Sequence, residues 1–206
     1  QNVLSIVDPR LAPDEAEWLA SAIARMRETR ARRIRPQRDD KVLASWNGLM
    51  LEAFARAYGV LGTEAYLHVA RRNLAFIQEQ LWDASTRTLH HRWRAGARDD
   101  VQLLNAYAFL LGGVIELYQV TLEAPVLTFA VELAEAMLAR FHDPADGGFW
   151  LSPAGADDIL VRAKEDYDGA EPSGNSVAAQ ALLRLAVITG RADFEAAGSA
   201  AVRRFA

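Results

Sequence analysis

Acidic residues recur along this 206-residue chain at a spacing that could assemble a proton-transfer site. Asp39-Asp40, Asp99-Asp100 and the pair Asp166 and Asp168 each precede a helical pattern, and Asp40, Asp100 and Asp168 are 60 and 68 residues apart. Two carboxylates in one pocket can hold different protonation states and so act as acid and base. An aspartate ahead of a helix is also an ordinary cap, stabilising it by about 0.5–2 kcal/mol. That plainer reading suits any one of them better than the recurring set.

Two stretches concentrate polar and aromatic groups. In Arg35-Pro36-Gln37-Arg38-Asp39-Asp40-Lys41-Val42-Leu43-Ala44-Ser45-Trp46-Asn47-Gly48, Ser45 is the expected N-cap and Trp46 and Asn47 fall in the first helical turn. A tryptophan beside an asparagine offers a stacking platform and a bidentate hydrogen-bond partner, which suits flat sugar faces and their hydroxyls. The alternative is that Trp46 plugs the core and Asn47 satisfies backbone. In Lys164-Glu165-Asp166-Tyr167-Asp168-Gly169-Ala170-Glu171-Pro172-Ser173-Gly174-Asn175-Ser176, Pro172 and Ser173 are helix-start residues. Gly174 in a first turn costs about 1 kcal/mol against alanine, so close packing or a ligand is expected to compensate. The acid/base candidates are Asp40 and Asp168. Asp39, Lys41, Asn47, Lys164, Asp166, Ser173 and Asn175 are the candidates for orienting a sugar, with Trp46 and Tyr167 stacking on it.

The elements that would position these groups repeat at about sixty residues. Leu81-Trp82-Asp83 with Leu89 recurs as Phe141-His142-Asp143 with Phe149. The preceding helices share a face, Leu67, Ala70, Leu74, Ile77 and Leu81 matching Leu127, Ala130, Ala134, Met137 and Phe141 in steps of 3, 4, 3 and 4. Between such one-sided helices lie others, 103–118 and 177–188, that are apolar almost all round and therefore buried on most sides. Buried helices are expected near 45–61, 101–120 and 173–189, amphipathic ones near 64–81, 125–141 and 192–206, and a leading helix at 14–33. Short connections follow each buried helix and long ones return to the next. That alternation predicts an all-α fold: an α/α toroid of six-hairpin type, here a partial arc of about three hairpins in which no hairpin buries its face alone. Leu89 to Arg94 and Gly148 to Ser152, the latter pairing with Ile159 to Arg162, read as short β ribbons in the long connections. All long connections end at the amino ends of inner helices, so their residues are expected to converge on one mouth. An arc leaves an exposed inner-helix edge, which self-association could cover.

Composition narrows the classes. No apolar run reaches the ~18 residues of a membrane span, the mean hydropathy is −0.04, and no export signal is visible, so a soluble, cytoplasmic protein is expected. With no cysteine there is no disulfide, thiolate site or thiol catalysis. A net charge of −4 argues against a nucleic-acid binder. The run Arg25, Arg27, Arg30, Arg32, Arg33 and Arg35 sits at a helix carboxyl end and reads as a solvated or ion-paired face. His68, His90, His91 and His142 have no partner at ligand spacing, and neither a metal nor a cofactor is expected. His142 stands in the place of Trp82 and reads as a packing residue.

Residues 32–50, Arg-Arg-Ile-Arg-Pro-Gln-Arg-Asp-Asp-Lys-Val-Leu-Ala-Ser-Trp-Asn-Gly-Leu-Met, and 168–176, Asp-Gly-Ala-Glu-Pro-Ser-Gly-Asn-Ser, resemble the signatures of thioredoxin-domain proteins related to spermatogenesis-associated protein 20. Asn2-Val3-Leu4 is similar to that family's linker. The resemblance implies a toroid akin to N-acylglucosamine 2-epimerases, preceded in the parent protein by a thioredoxin-like domain that is absent from residues 1–206. The chain is then expected to be a fragment of one toroid domain, with the remainder of its parent as a partner. It departs from the family where Asn105-Ala106 replaces an acidic pair before Tyr107-Ala108-Phe109. The expected function is carbohydrate-active, epimerase-like or glycosidase-like, on a small carbohydrate. The alternative is a non-catalytic binding or scaffolding module serving the thioredoxin-like domain.

Overall fold

The computed structural model describes residues 10–155 and 159–206, so Asn2-Val3-Leu4 falls outside the described residues. The chain divides into two compact units, one ending at Asp39 and one beginning at Asp40. In the first, α1 (Pro13–Ala31) starts with proline at its first position, and Glu15 Oε2 accepts from the Ala12 N–H at 2.9 Å. No residue of α1 is buried. Its arginines are exposed as expected, and Arg32 pairs with Glu28 at 2.6 Å.

The second unit holds three helical hairpins: α2 (Ala44–Leu61) with α3 (Glu64–Gln80), α4 (Leu104–Thr121) with α5 (Ala124–Phe141), and α6 (Gly174–Thr189) with α7 (Ala192–Phe205). Each boundary lies within about three residues of the expected one. Helix α4 packs against α2, α5 and α6, which is why Leu104 and the whole run Ala106–Ile115 are buried. The inner helices are thus α2, α4 and α6, and the outer ones α3, α5 and α7. On α3 and α5 the shared face is the buried one: Leu67, Ala70, Leu74, Ile77 and Leu81, and Ala130, Ala134, Met137 and Phe141. Among the described residues no helix is long and apolar enough to cross a membrane.

The sixty-residue repeat has a structural meaning. Trp82 pairs antiparallel with Leu89 in the ribbon of β2 (Trp82–Asp83) and β3 (Thr88–Leu89), and His142 bridges Phe149 in the same way. In both copies the aspartate closes the turn: Asp83 Oδ1 accepts from the N–H groups of Ser85 and Thr86, and Asp143 Oδ1 from those of Ala145 and Asp146. Its other oxygen takes a basic side chain from the long connection, Arg98 at 3.1 Å for Asp83 and Lys164 at 2.8 Å for Asp143. Two expectations need correction. The stretch Leu89 to Arg94 is split between two sheets: β4 (Arg92–Arg94) leaves the first ribbon, pairing with β1 (Val42–Leu43) on one side and β5 (Ala97–Arg98) on the other. Gly148 to Ser152 forms no regular strand among the described residues, and its partner is Ala163, whose carbonyl accepts from Leu151 N–H at 2.8 Å.

The three inner helices end alike, in a left-handed residue whose N–H returns to the helix: Gly62 to Tyr58, Leu122 to Tyr118 and Gly190 to Ala186. Leu122 holds φ at 56° although it is not glycine, and it is 72% exposed. A left-handed non-glycine residue costs roughly 1–2 kcal/mol, while exposure leaves little packing to lose. Leu122→Gly is therefore expected to stabilise the fold by about 1 kcal/mol, raising the melting temperature by about 2–4 °C in a thermal scan.

Candidate functional site

The amino ends of α2, α4 and α6 are built by different local devices. Ser45 does not cap α2. The N-cap is Leu43, with no side-chain cap, because Ala44 N–H is held by His91 O at 2.9 Å and Ser45 is buried in the first turn. Helix α6 is capped as expected, Ser173 Oγ accepting from Ser176 N–H at 3.0 Å. At Gly174 a Cβ would collide with Asn105 Oδ1 and sit 3.0 Å from the Leu104 side chain, so close packing of α4 on α6 is what the glycine permits.

One bond joins the ends of the arc. The Trp46 indole N–H donates to Glu171 Oε1 at 2.5 Å, linking the first turn of α2 to the loop before α6. Trp46 stays 55% exposed and Tyr167, on the same loop, 76% exposed. Beside them Asn105, Glu165, Tyr167, Gly169, Ala170, Glu171, Pro172 and Ser173 enclose a pocket of about 200 Å³. Asp168 holds this loop to the helix, its Oδ1 accepting from Ser173 N–H at 2.7 Å, while Gly169 N–H donates to Glu171 O at 2.9 Å.

The other candidates are placed around this mouth or inside its supports. Asn175 is 2% exposed and saturated: its Nδ2 donates to Phe149 O at 3.0 Å and Glu165 O at 2.8 Å, and its Oδ1 accepts from Phe149 N–H at 2.7 Å. Lys164 is likewise enclosed, its ammonium held by Asp143 at 2.8 Å and Gly147 O at 2.7 Å and lying 4.6 Å from the Trp150 ring centre. Asn47 turns toward α3, donating to Leu43 O at 2.9 Å and accepting from Asn73 Nδ2 at 3.1 Å. Asp40 pairs with Arg94 at 2.6 Å, which ties the chain ahead of β1 to β4. Asp166 and Asn175 border a separate cleft of about 500 Å³ between α6 and α7, with Leu183, Val202 and Phe205. Lys41 and Asp100 are exposed, and Asp39 is the last residue of the first unit. Of the three acidic levels, Asp40 and Asp99 flank the β1–β4–β5 sheet and bond to β4, where Asp99 Oδ1 accepts from Arg92 N–H at 3.1 Å. Only the third level contributes its loop to the pocket.

Electrostatics separate the supports from the mouth. Hydrogen bonding from the Lys164 ammonium holds the Asp143 carboxyl down at about 2. Burial pushes the Glu116 carboxyl up, but Arg56 on α2 and Arg184 on α6 bracket it and bring it below the usual range on balance, bracing all three inner helices. Burial lowers the His142 imidazole. Because the folded Asp143 titrates below its unfolded value, its contribution is present above about pH 4 and is lost as pH falls towards about 2. Denaturant titrations are expected to show Asp143→Asn less stable than the wild type near neutrality and equal to it near pH 2.

Glu171 is the residue that sequence reasoning left unassigned. Its signal was its place in the quoted motif immediately before Pro172-Ser173. What hid its role is that its partner, Trp46, lies 125 residues away.

No family model matches the chain. It is 36% identical over 185 residues to spermatogenesis-associated protein 20 of Rattus norvegicus, covering 85% of this chain and 23% of that protein. The Homo sapiens protein of the same name is 34% identical over 186 residues. The chain is homologous to part of spermatogenesis-associated protein 20. It spans about a quarter of the length of these relatives. Among solved structures it is similar to cellobiose 2-epimerase from Spirochaeta thermophila, with a TM-score of 0.66 and 18% identity over 82% of this chain and 44% of that one. A family 76 glycoside hydrolase (mannosidase) from Bacteroides thetaiotaomicron matches with a TM-score of 0.63 and 16% identity, over 79% of this chain and 44% of that one. At these identities the likeness is one of fold: the α/α toroid.

Proposed function

We propose that this chain is part of a carbohydrate-active toroid, epimerase-like or glycosidase-like, whose site is the mouth at the amino ends of α2, α4 and α6. The observation that carries the reading is the Trp46–Glu171 bond beside the pocket that holds Asn105 and Tyr167. The pocket of about 200 Å³ is lined by a phenol ring and carboxylates, with an exposed indole bonded to one of them, and such surroundings suit a sugar ring and its hydroxyls. In this reading Trp46 and Tyr167 stack on the ring, and Asp168, on the loop that lines the pocket, is the acid/base carboxylate. Asp40 and Arg94, with Lys41, belong to the rim. Lys164, Asn175, Asn47 and Ser173 hold the loops, and Asp166 faces the neighbouring cleft. Residues 1–206 belong to one toroid domain of a longer protein, with the family's thioredoxin-like domain outside them. Val187, 88% exposed on α6, marks the inner-helix edge that the remainder of the parent or a second copy would cover. The expected setting is cytoplasmic.

The test is turnover by the full-length protein with aldoses, amino sugars and glycosides. Asp168→Asn keeps an acceptor for Ser173 N–H and removes only the charge, so it is expected to fold normally and to lower turnover about 100-fold or more. Unchanged turnover removes the assignment. A second reading, the non-catalytic module serving a thioredoxin-like domain, draws on the engagement of both acid/base candidates, Asp40 with Arg94 and Asp168 with Ser173. A wild-type protein that binds sugars without converting any of them would favour it.

A further inference from the structure

Carboxylates line the mouth pocket, and three donors at or beside it are engaged within the protein. Trp46 N–H is engaged by Glu171 at 2.5 Å, Ser173 N–H by Asp168 at 2.7 Å and Gly169 N–H by Glu171 O at 2.9 Å. No lysine, arginine or histidine is among the residues lining the pocket. Lys164, the basic residue of the stretch 164–176, is turned away onto Asp143. What lines the cavity is the carboxylates of Glu165 and Glu171, with the exposed Tyr167 ring. Carboxylates in a pocket wall accept hydrogen bonds only, so such a lining is complementary to a ligand rich in donors.

Charge points the same way. The loop carries Glu165, Asp166, Asp168 and Glu171 within seven residues, so a sugar phosphate or a sugar acid would set its own negative charge against theirs. An ammonium group brings three donors. It makes the stronger, charge-assisted bonds with carboxylates and is attracted to aromatic faces such as those of Trp46 and Tyr167.

We propose that this pocket takes a protonated amino sugar, and that Glu171 is the residue that selects it. The proposal rests on the carbohydrate reading above. Trp46 fixes the Glu171 carboxylate by its N–H, so that the ammonium meets a preorganised acceptor, while the ring hydroxyls reach Glu165.

The experiment is ligand-observed NMR on the full-length protein at low salt and about pH 6, below the ordinary range of an amino group. The probes are glucosamine, N-acetylglucosamine, glucose and glucose 6-phosphate. Glucosamine is expected to bind about tenfold or more tightly than glucose or N-acetylglucosamine, with glucose 6-phosphate weakest. Glu171→Gln is expected to weaken glucosamine about tenfold and glucose less than about threefold. A merely structural role for Glu171 would move both sugars together. Glu165→Gln, at an exposed position, provides a second variant with the same expected selectivity. Glucosamine binding no tighter than glucose, or equal losses for both sugars in Glu171→Gln, overturns the proposal and leaves the carbohydrate reading standing. A wild-type protein that neither binds nor converts any sugar overturns both.

Discussion

Gly48→Ala is expected to cost about 3 kcal/mol or more and to leave the chain largely unfolded or molten. The glycine lies where α2 crosses α4, and a Cβ there would sit 2.5 Å from Leu110 N and 2.6 Å from Phe109 C. Those are backbone atoms of the most buried helix, so no side-chain rotation relieves the overlap. The contact is reciprocal: a Cβ on Gly113 would lie 2.6 Å from Gly48 O and 3.0 Å from the Leu51 side chain. Overpacking in a core commonly costs about 1–3 kcal/mol. Helix-on-helix backbone contact belongs at or above the upper end, against a total stability of about 5–15 kcal/mol for a domain. Gly59→Ala is the control. Its Cβ would meet only the Val120 side chain, at 3.0 Å, near the exposed end of α2. There the better helix propensity of alanine is expected to leave stability level or slightly raised. Denaturant unfolding of the two variants, side by side, measures the difference.

Asn175→Ala is expected to cost about 3–5 kcal/mol and to loosen the mouth. The side chain makes three hydrogen bonds with backbone groups of two connections, Phe149 N–H, Phe149 O and Glu165 O. Truncation leaves those groups unpaired, each worth about 1–3 kcal/mol when buried. The Glu165 bond is the tether of the loop that carries Tyr167, Asp168 and Glu171, so any sugar affinity is expected to fall with stability. Ser176→Ala, at an exposed position, removes only a hydroxyl that bonds the capping Ser173. It is expected to cost less than about 1 kcal/mol. Hydrogen exchange at Phe149 would show whether the loss begins where the bonds are broken.

The fold was legible because burial enforces period. The faces of α3 and α5 stand in the residues at 3, 4, 3, 4 spacing, and the paired turns at Asp83 and Asp143 stand in a sixty-residue echo. Strand β1 was not legible, since two residues carry no alternation and Val42–Leu43 is extended only because Trp93 and Arg92 pair with it. Ser45 misled as a cap because helix-start chemistry is local, whereas the donor at Ala44 is satisfied from β4's neighbour His91. Lys164 and Asn175 were conspicuous by type and position, but burial, which no motif reports, turned both inward to hold loops. The reason for Gly174 lies in Asn105, 69 residues away in the sequence and against it in space. Rarity of residue type marked the loop that lines the pocket, and long-range partners decided which of its side chains face it.

The most direct measurement is the crystal structure of the full-length protein soaked with a sugar that it binds in solution. The expected result is electron density for the ring between Trp46 and Tyr167, with hydroxyl or amino groups within hydrogen-bond reach of Glu171 and Glu165. A sugar seated elsewhere, with the Trp46–Glu171 pair closed over an empty mouth, would contradict the placement of the site.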